Sequence, residues 1–218
     1  MIEHNFNDGK IAKCQICNSS NLIEVINIGE QPLANTLLKN LNDDKNKKTF
    51  PINVVRCKDC TLLQIDYIVN QNEVYHPSYP YLPGITKTVD NEQKQLCDYL
   101  MKTLKLNSED DLVVDVGSND GSLLNHFKNY NVKVVGVEPT DIAKIANKNK
   151  IETLQLFFNE NSAEKILSTH GAAKLITSTN VFAHMSTLGD VMKGIIKLLS
   201  EDGYFCFENH YSLEILKN

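Results

Sequence analysis

The ten residues from Leu112 to Gly121, LVVDVGSNDG, constrain the fold of this chain more than any other stretch. An apolar run meets Asp115, a turn containing Gly117 and Gly121 follows, and an apolar helix start comes next. A strand, a glycine turn and a helix in this order open the nucleotide-binding α/β domains, because glycine lets the backbone approach a ligand and lets the helix pack close to the strand. The stretch therefore predicts an α/β domain with a ligand at this turn.

The charges around the turn indicate which ligand it suits. The spacing is G-x-x-x-G, which differs from the dinucleotide fingerprint G-x-G-x-x-G. Asp115 and Asp120 flank the turn, and their carboxylates would repel a pyrophosphate placed on the following helix N-terminus. A ligand that carries an ammonium and a sulfonium would be attracted instead. The turn therefore favours S-adenosylmethionine over NAD.

Four of the six cysteines form two C-x-x-C pairs, Cys14 with Cys17 and Cys57 with Cys60. Each pair can place two thiolates on one side of a turn, and two such turns make a tetrahedral four-sulfur site. The polar start of the chain does not suggest export, so a metal is favoured over disulfides. We predict a structural zinc ion, with an iron–sulfur cluster or a redox dithiol as alternatives. A closed four-cysteine site leaves no open coordination position for catalysis.

Composition excludes several other classes of protein. The 218 residues are 42% hydrophobic and carry a net charge of -5, which suits one medium domain plus a small one. No long basic run is present, so a nucleic-acid partner is not expected. No apolar run approaches the length of a membrane span, so no membrane association is expected either. The predicted location is the cytoplasm.

The segment before Leu112 reads as a small β-rich domain followed by a connector. Strands are predicted at Leu22–Ile28, where Gly29 and Pro32 end the strand, at Phe50–Val55 and at Leu62–Tyr67, with a polar loop over 38–49. The proline-punctuated stretch 74–83 is predicted to be an extended loop whose Tyr79 and Tyr81 either cover a ligand pocket or pack between domains. Apolar spacing predicts a helix from Thr86 to Leu106, with Cys97 as a core thiol. The predicted domains are a zinc-binding domain at 1–72, this loop and connector helix at 73–108, and a cofactor-binding core at 109–218.

From Leu112 onward strands alternate with helices, which predicts a parallel sheet whose ligand lies at the carboxyl ends of the strands. The further strands are predicted at Val132–Val137, Ile151–Leu156, Ala173–Thr177 and Tyr204–Phe207, the last after a turn at Asp202–Gly203, with helices near Ser162–Leu167 and Leu188–Leu199. Glu138 ends the second strand, where an acid can bind ribose hydroxyls. One of Phe157 and Phe158 could stack on adenine while the other joins the core, and His184 is a candidate for direct or indirect contact with the ligand. The predicted cofactor-binding residues are Asp115, Gly117, Ser118, Asn119, Asp120, Gly121, Glu138, Pro139, Phe157, Phe158 and Asn180.

Taken together and in order, these motifs resemble the sugar C-methyltransferases that act on nucleotide-linked deoxyhexoses. The resemblance runs over essentially the whole chain. It rests on the first C-x-x-C pair, Gly29 to Asn35 (GEQPLAN), Phe50-Pro51, the second pair with Leu63-Gln64, Tyr79 and Tyr81, the GSNDG turn, Glu138-Pro139, Phe157-Phe158 and Asn180 to His184.

The resemblance implies a zinc-binding domain, a class I methyltransferase core and a separate C-terminal domain. It also implies methyl transfer from S-adenosylmethionine to a ring carbon made acidic by a neighbouring ketone. Gly117, Asn119, Gly121 and Glu138 would hold the cofactor, and Tyr79 or Tyr81 would face the sugar.

The family's histidine base belongs to a motif that would follow Asn218, which leaves His184 and His210 as substitute bases. The expectation is therefore a chain truncated before the family's last strands, with the strand at Tyr204–Phe207 on an unpaired edge, or one completed by a separate polypeptide. Two alternatives are a non-catalytic fragment that binds zinc and S-adenosylmethionine, and an NAD-dependent nucleotide-sugar enzyme.

Overall fold

The computed structural model describes residues 9–34, 40, 47–76, 80, 82, 84, 86–106 and 110–211. The chain divides into two compact units. The first comprises Met1–His76 with Ser186–Gly189, and the second comprises Pro77–Met185 with Asp190–Asn218. Within the described ranges, no helix combines the length and apolar character that crossing a bilayer would require.

The first unit is built from short antiparallel sheets. Strands β2, β3 and β4 form a three-stranded sheet in that order, and β1 pairs with β5. Phe50 is buried near the start of β3, and Asn53, Val55 and Cys57 then alternate as buried residues, so one face of the sheet forms the interior of this unit. The elements are β1 (Gly9–Lys10), β2 (Leu22–Pro32), β3 (Thr49–Cys57), β4 (Leu63–Ile65), β5 (Tyr67–Ile68) and helix α1 (Gln71–Val74).

Two sequence predictions for this unit were wrong in detail. Gly29 does not end β2: it adopts a positive φ of 81° beside a register shift, so a bulge absorbs the irregularity and the strand continues to Pro32. The predicted strand Leu62–Tyr67 is interrupted at the buried Asp66, which accepts a hydrogen bond from Asn53 Nδ2 (3.0 Å). The chain therefore leaves the β3–β4 ladder at this residue and pairs with β1 instead.

The second unit has a five-stranded, all-parallel sheet in the order β10-β9-β6-β7-β8. Counted along this unit the order is 3-2-1-4-5, the doubly wound arrangement in which a ligand binds where the strand order reverses. That point lies between β6 and β9. The elements are α2 (Lys87–Leu104), β6 (Leu112–Val116), α3 (Ser122–Lys128), β7 (Lys133–Val137), α4 (Ala143–Lys148), β8 (Thr153–Leu154), α5 (Glu160–His170), β9 (Ala173–Thr179), a 3₁₀ turn (Phe182–His184), α6 (Leu188–Leu198) and β10 (Leu199–Glu208).

Strand β6 is buried on both faces, as expected for a central parallel strand. Val114 and Val116 pack in a cluster with Ile166 of α5 and Ile195 of α6. The intervening Val113 belongs to a second cluster, which contains Leu124 and Phe127 of α3 together with Leu100 and Cys97 of α2. The prediction of Cys97 as a core thiol is confirmed, and its burial raises its pKa to about 12.

The predicted bounds of several elements in the second unit need correction. The third strand shrinks from Ile151–Leu156 to two residues, and the last strand starts at Leu199 directly after α6, so Asp202–Gly203 lies inside it beside a register shift. The fourth strand extends to Thr179, and the helix predicted at Ser162–Leu167 begins earlier because Asn159 and Ser162 form a capping box. As predicted, β10 is an edge strand of the sheet formed by the described residues.

Candidate functional site

The four paired cysteines converge in the first unit. Their sulfur atoms all lie within 4.8 Å of one another, and two of the pairs, Cys14 with Cys60 and Cys17 with Cys57, are 3.5 Å apart. A tetrahedral zinc ion with Zn–S bonds of 2.3 Å would separate its sulfurs by about 3.8 Å. The spacing of the thiols therefore fits a four-coordinate structural zinc ion.

The two C-x-x-C turns share one backbone geometry. In each, the residue four positions after the first cysteine donates its N–H to that cysteine's carbonyl: Asn18 to Cys14 at 3.0 Å and Thr61 to Cys57 at 3.0 Å. Asn18 and Thr61 both adopt a positive φ, 59° and 66°. This conformation is unfavourable for a β-branched threonine, which indicates that the turn geometry is imposed by the site.

The four thiols are not equally acidic: although backbone N–H groups oppose it, burial and hydrogen bonds to neighbouring thiols raise the pKa of Cys17 and of Cys60. The backbone N–H of Cys60, assisted by that of Asp59, stabilises the Cys57 thiolate against the opposing effect of burial and lowers the pKa of Cys57 to about 7. The thiolate is the form that binds metals.

The glycine turn of the second unit has a positive φ at three alternate residues. Gly117 and Gly121 have φ of 78° and Asn119 has φ of 51°. The N–H groups of Gly117 and Ser118 both donate to the carbonyl of Val137, at 2.8 and 3.1 Å. This ties the turn after β6 to the end of β7, at the carboxyl edge where the ligand was predicted.

Asp115 is a buried carboxylic acid at this edge. Its side chain is 3% exposed, and its Oδ1 accepts a hydrogen bond from Thr177 Oγ1 (2.7 Å) on β9. Burial raises the pKa of Asp115 to about 7, the Thr177 bond opposes the rise, and the charge of Glu138 adds to it. The group therefore changes charge near neutral pH, directly beside the point where the strand order reverses.

Glu138 is also buried. It directly follows the last residue of β7, so it lies at the end of the second strand as predicted. Its Oε1 accepts from both the N–H (2.9 Å) and the hydroxyl (2.7 Å) of Thr140, and its Oε2 accepts from the N–H of Asn119 (3.2 Å). A carboxylate has about four acceptor positions. Donors among the described residues occupy three, which leaves one on Oε2 for a ligand hydroxyl.

Of the other predicted cofactor-binding residues, one shapes the turn, one belongs to the core and two are half-buried. Asp120 accepts hydrogen bonds from the N–H groups of Gly84 and Ser122, both at 3.2 Å, so its carboxylate shapes the turn. Phe158 belongs to the core and Phe157 is half-buried, which leaves Phe157 as the ring that could stack on adenine. Pro139 follows Glu138 and is half-buried.

At the end of β9, Asn180 donates from Nδ2 to Glu208 Oε1 (2.7 Å), and its N–H donates to the Glu208 carbonyl (2.8 Å). The exposed His184 lies in the 3₁₀ turn that follows, where desolvation and, to a smaller extent, the charge of His210 lower its pKa. Tyr79 and Tyr81 lie outside the described residues.

Sequence reasoning missed the hydroxyl groups that bind the acids, namely those of Thr140 and Thr177. A signal was present, because Thr140 and Thr177 both lie at or next to strand ends that the sequence predicts.

Two further hydroxyl groups bear on whether this edge of the sheet suits a polar ligand. The Oγ atoms of Ser118 and Ser178 are buried, and neither has a hydrogen-bond partner among the residues that the structure describes. Buried hydroxyls without partners cost free energy, and polar groups of S-adenosylmethionine could satisfy them.

We expect Gly117→Ala to lower the free energy of unfolding by about 1–3 kcal/mol. A Cβ at this position would lie 2.6 Å from both γ-carbons of Val181, and the positive φ would be strained in addition. The control is Gly171→Ala in the same unit, which has a similar φ of 88° but open space around its Cβ, so it isolates the backbone cost. Equal losses for the two variants in urea denaturation would show that Val181 does not restrict the turn.

Comparison with known proteins identifies a family for each part of the chain. A family model described as "Methyltransferase domain" matches residues 89–215, and one described as "Putative zinc binding domain" matches residues 14–75. The C-methyltransferase NovU of Streptomyces niveus is 32% identical over 209 residues, which are 95% of this chain and 49% of NovU. The chain thus spans about half the length of this curated relative.

Solved structures also resemble the chain. A SAM-dependent methyltransferase from Anabaena variabilis has 20% identity and a TM-score of 0.45, covering 53% of this chain and 50% of its own. The plantazolicin methyltransferase BpumL, solved with a desmethylplantazolicin analogue and SAH, has 16% identity and a TM-score of 0.46, covering 61% and 52%.

The family matches confirm the predicted combination of a zinc-binding domain with a methyltransferase core, and the sheet order confirms the predicted α/β fold. The four-thiol cluster agrees with zinc rather than with a redox dithiol. This chain therefore belongs to the S-adenosylmethionine-dependent methyltransferase family, with a zinc-binding domain ahead of its methyltransferase domain.

Proposed function

We propose that this chain takes part in the C-methylation of a nucleotide-linked keto-deoxysugar, with S-adenosylmethionine as the methyl donor. The observation that carries the proposal is the 32% identity to a C-methyltransferase over 95% of this chain. The sugar substrate is supported by the ordered motifs that resemble the sugar C-methyltransferases.

The buried acids give the proposed cofactor site its charge preference. Asp115 and Glu138 lie at the ends of neighbouring strands, β6 and β7, with Asn119 joined to Glu138 between them. Two carboxylates in a site of low dielectric favour a cation and disfavour a pyrophosphate. Under this proposal Asp115 balances the positive charge of the methionine part, Glu138 binds a ribose hydroxyl, and Phe157 stacks on adenine.

When bound, S-adenosylmethionine supplies a methyl group on a positively charged sulfur. The chain's residues must then orient the acceptor and hold the proton that leaves the carbon next to the ketone. His184 is a candidate for that proton, because a lowered pKa keeps its imidazole neutral and able to accept at pH 7. Tyr79 and Tyr81 remain proposed contacts of the sugar.

We expect Glu138→Gln to weaken the binding of S-adenosylhomocysteine by about 1–3 kcal/mol, the cost of a lost or mismatched hydrogen bond to a ribose hydroxyl. The amide would still accept from Thr140 through one oxygen, but its NH₂ would face the N–H of Asn119. Calorimetric titration measures the change. Glu152→Gln is the matched control. This acid is exposed and lies immediately before β8, at the amino end of a strand, whereas the ligand is proposed at the carboxyl ends. Unchanged affinity in the Glu138 variant would place the ribose elsewhere.

Transfer of a labelled methyl group to a nucleotide-linked keto-deoxysugar tests the reaction itself. Binding of S-adenosylhomocysteine without transfer would favour the non-catalytic alternative, in which the chain only binds zinc and cofactor. Tight binding of NAD instead would contradict the proposed cofactor site and favour the alternative of an NAD-dependent nucleotide-sugar enzyme.

A further inference from the structure

A buried glutamine links the two halves of the four-cysteine cluster. Gln64 lies on β4 with only 7% of its surface exposed, and its Oε1 accepts a hydrogen bond from the backbone N–H of Gln15 (3.1 Å). Gln15 is the residue directly after Cys14, inside the first C-x-x-C turn. The bond therefore fixes the backbone of the turn that supplies two of the four thiols.

Gln64 itself belongs to the hairpin that supplies the other two thiols. Strand β3 ends at Cys57, the second turn follows, and β4 returns antiparallel with Gln64 opposite Val55. The glutamine is thus anchored by the β3–β4 ladder beside the second C-x-x-C pair. Its side chain reaches from this hairpin to a segment that is 49 residues away in the sequence.

A second connection between the turns exists at the surface. Asp59 of the second turn accepts hydrogen bonds from Ser19 Oγ and from Asn21 Nδ2 (3.2 Å), both just beyond the first pair. These groups are exposed to solvent, where water competes for each hydrogen bond. The Gln64–Gln15 bond is partly buried, so water competes with it less and it has the greater capacity to hold the turns in register.

The other end of the Gln64 amide shows that burial of this side chain has a cost. Its Nε2 is buried and has no hydrogen-bond partner among the described residues, which is unfavourable for a donor. The contact with Gln15 offsets that cost. We propose that Gln64 is a positioning residue of the metal site: it holds the first C-x-x-C turn in the orientation that lets all four sulfurs bind one ion.

Cobalt(II) serves as the probe, because its thiolate charge-transfer absorption reports on sulfur ligation independently of methyl transfer. Gln64→Met keeps the length of the side chain and removes the acceptor. We expect the dissociation constants for cobalt and zinc to rise about 10- to 100-fold, as is typical when an outer-sphere partner of a metal ligand is lost. Gln95→Met, an exposed glutamine on α2 in the second unit, is the control and should bind both metals as the wild type does.

An affinity of Gln64→Met within twofold of the wild type would overturn the proposal. If Gln64→Met does not fold, hydrogen exchange of the wild-type, metal-loaded chain tests the proposal instead. The Gln15 amide should exchange slowly because its N–H is hydrogen-bonded to Gln64, and exchange at the rate of an unprotected amide would equally overturn the proposal. Neither measurement depends on whether the chain transfers a methyl group.

Discussion

Replacing Asp115 with asparagine is expected to flatten the stability of the chain between pH 5 and pH 8 and, at the same time, to weaken S-adenosylmethionine binding. Asp115 is 3% exposed and has a pKa of about 7, against an ordinary value of 3.8. Asparagine has nearly the same shape, can still accept the hydrogen bond from Thr177 Oγ1, and cannot ionise. The substitution therefore tests the charge of this group.

The direction of the pH effect follows from proton linkage. An acid with a raised pKa in the folded state binds its proton more tightly there than in the unfolded chain. Its contribution to stability is fully present below about pH 4 and is lost as the pH rises through about 7. A difference of about three pKa units corresponds to about 4 kcal/mol, and Asp115→Asn should lack this decline.

Cofactor binding should show the opposite preference. If the ionised Asp115 balances the charge of S-adenosylmethionine, binding requires proton loss, and affinity should rise between pH 6 and pH 8. Calorimetric titration in two buffers of different ionisation enthalpy measures the released proton directly. In Asp115→Asn the proton release should disappear, and the affinity at pH 8 should fall roughly tenfold or more, as expected for the loss of an interaction with a charged group.

Asp202→Asn provides the control. Lys174 holds the pKa of the exposed Asp202 below its usual range, so this carboxylate stays ionised from pH 5 to pH 8 and its removal should not alter the slope. A wild-type stability that is flat over this range, or equal slopes for wild type and Asp115→Asn, would mean that Asp115 is ionised throughout.

The sequence predicted the parallel sheet and its ligand edge because those depend on local patterns. The apolar run of β6 and the glycines after it encode a buried strand and a turn with positive φ, and the structure has both. Glu138 could be placed at the same edge, since the carboxyl ends of parallel strands lie together. These features required no knowledge of distant contacts.

Other properties depend on contacts that no local pattern encodes. Asp115 has a pKa near neutrality because it is buried and lies near the charge of Glu138, which follows β7, while the hydrogen bond from Thr177 on β9 opposes the shift. Gly29 was expected to end a strand, but pairing with β3 sustains β2 past it. The Gln64–Gln15 bond joins residues far apart in sequence and could not be inferred from either C-x-x-C motif.

Cys57→Ser is expected to unfold the first unit while the second keeps its structure. All four thiols belong to the first unit, whose short strands bury few large side chains, so its folding should depend on the metal. Structural zinc sites provide about 10–16 kcal/mol, which is as much as the roughly 5–15 kcal/mol that stabilises an entire ordinary domain. The two core clusters of the second unit contain none of the four ligands.

Hydrogen exchange followed by mass spectrometry resolves the two units separately. In Cys57→Ser, and in the wild type stripped by a chelator, amides of β2 and β3 should lose protection while those of β6 and β9 retain it. Cys206→Ser is the matched control, because this thiol lies half-buried on β10 and outside the cluster. Full protection of β2 and β3 in the metal-free chain would show that the first unit folds without zinc. The four thiols would then be a binding site on a preformed scaffold.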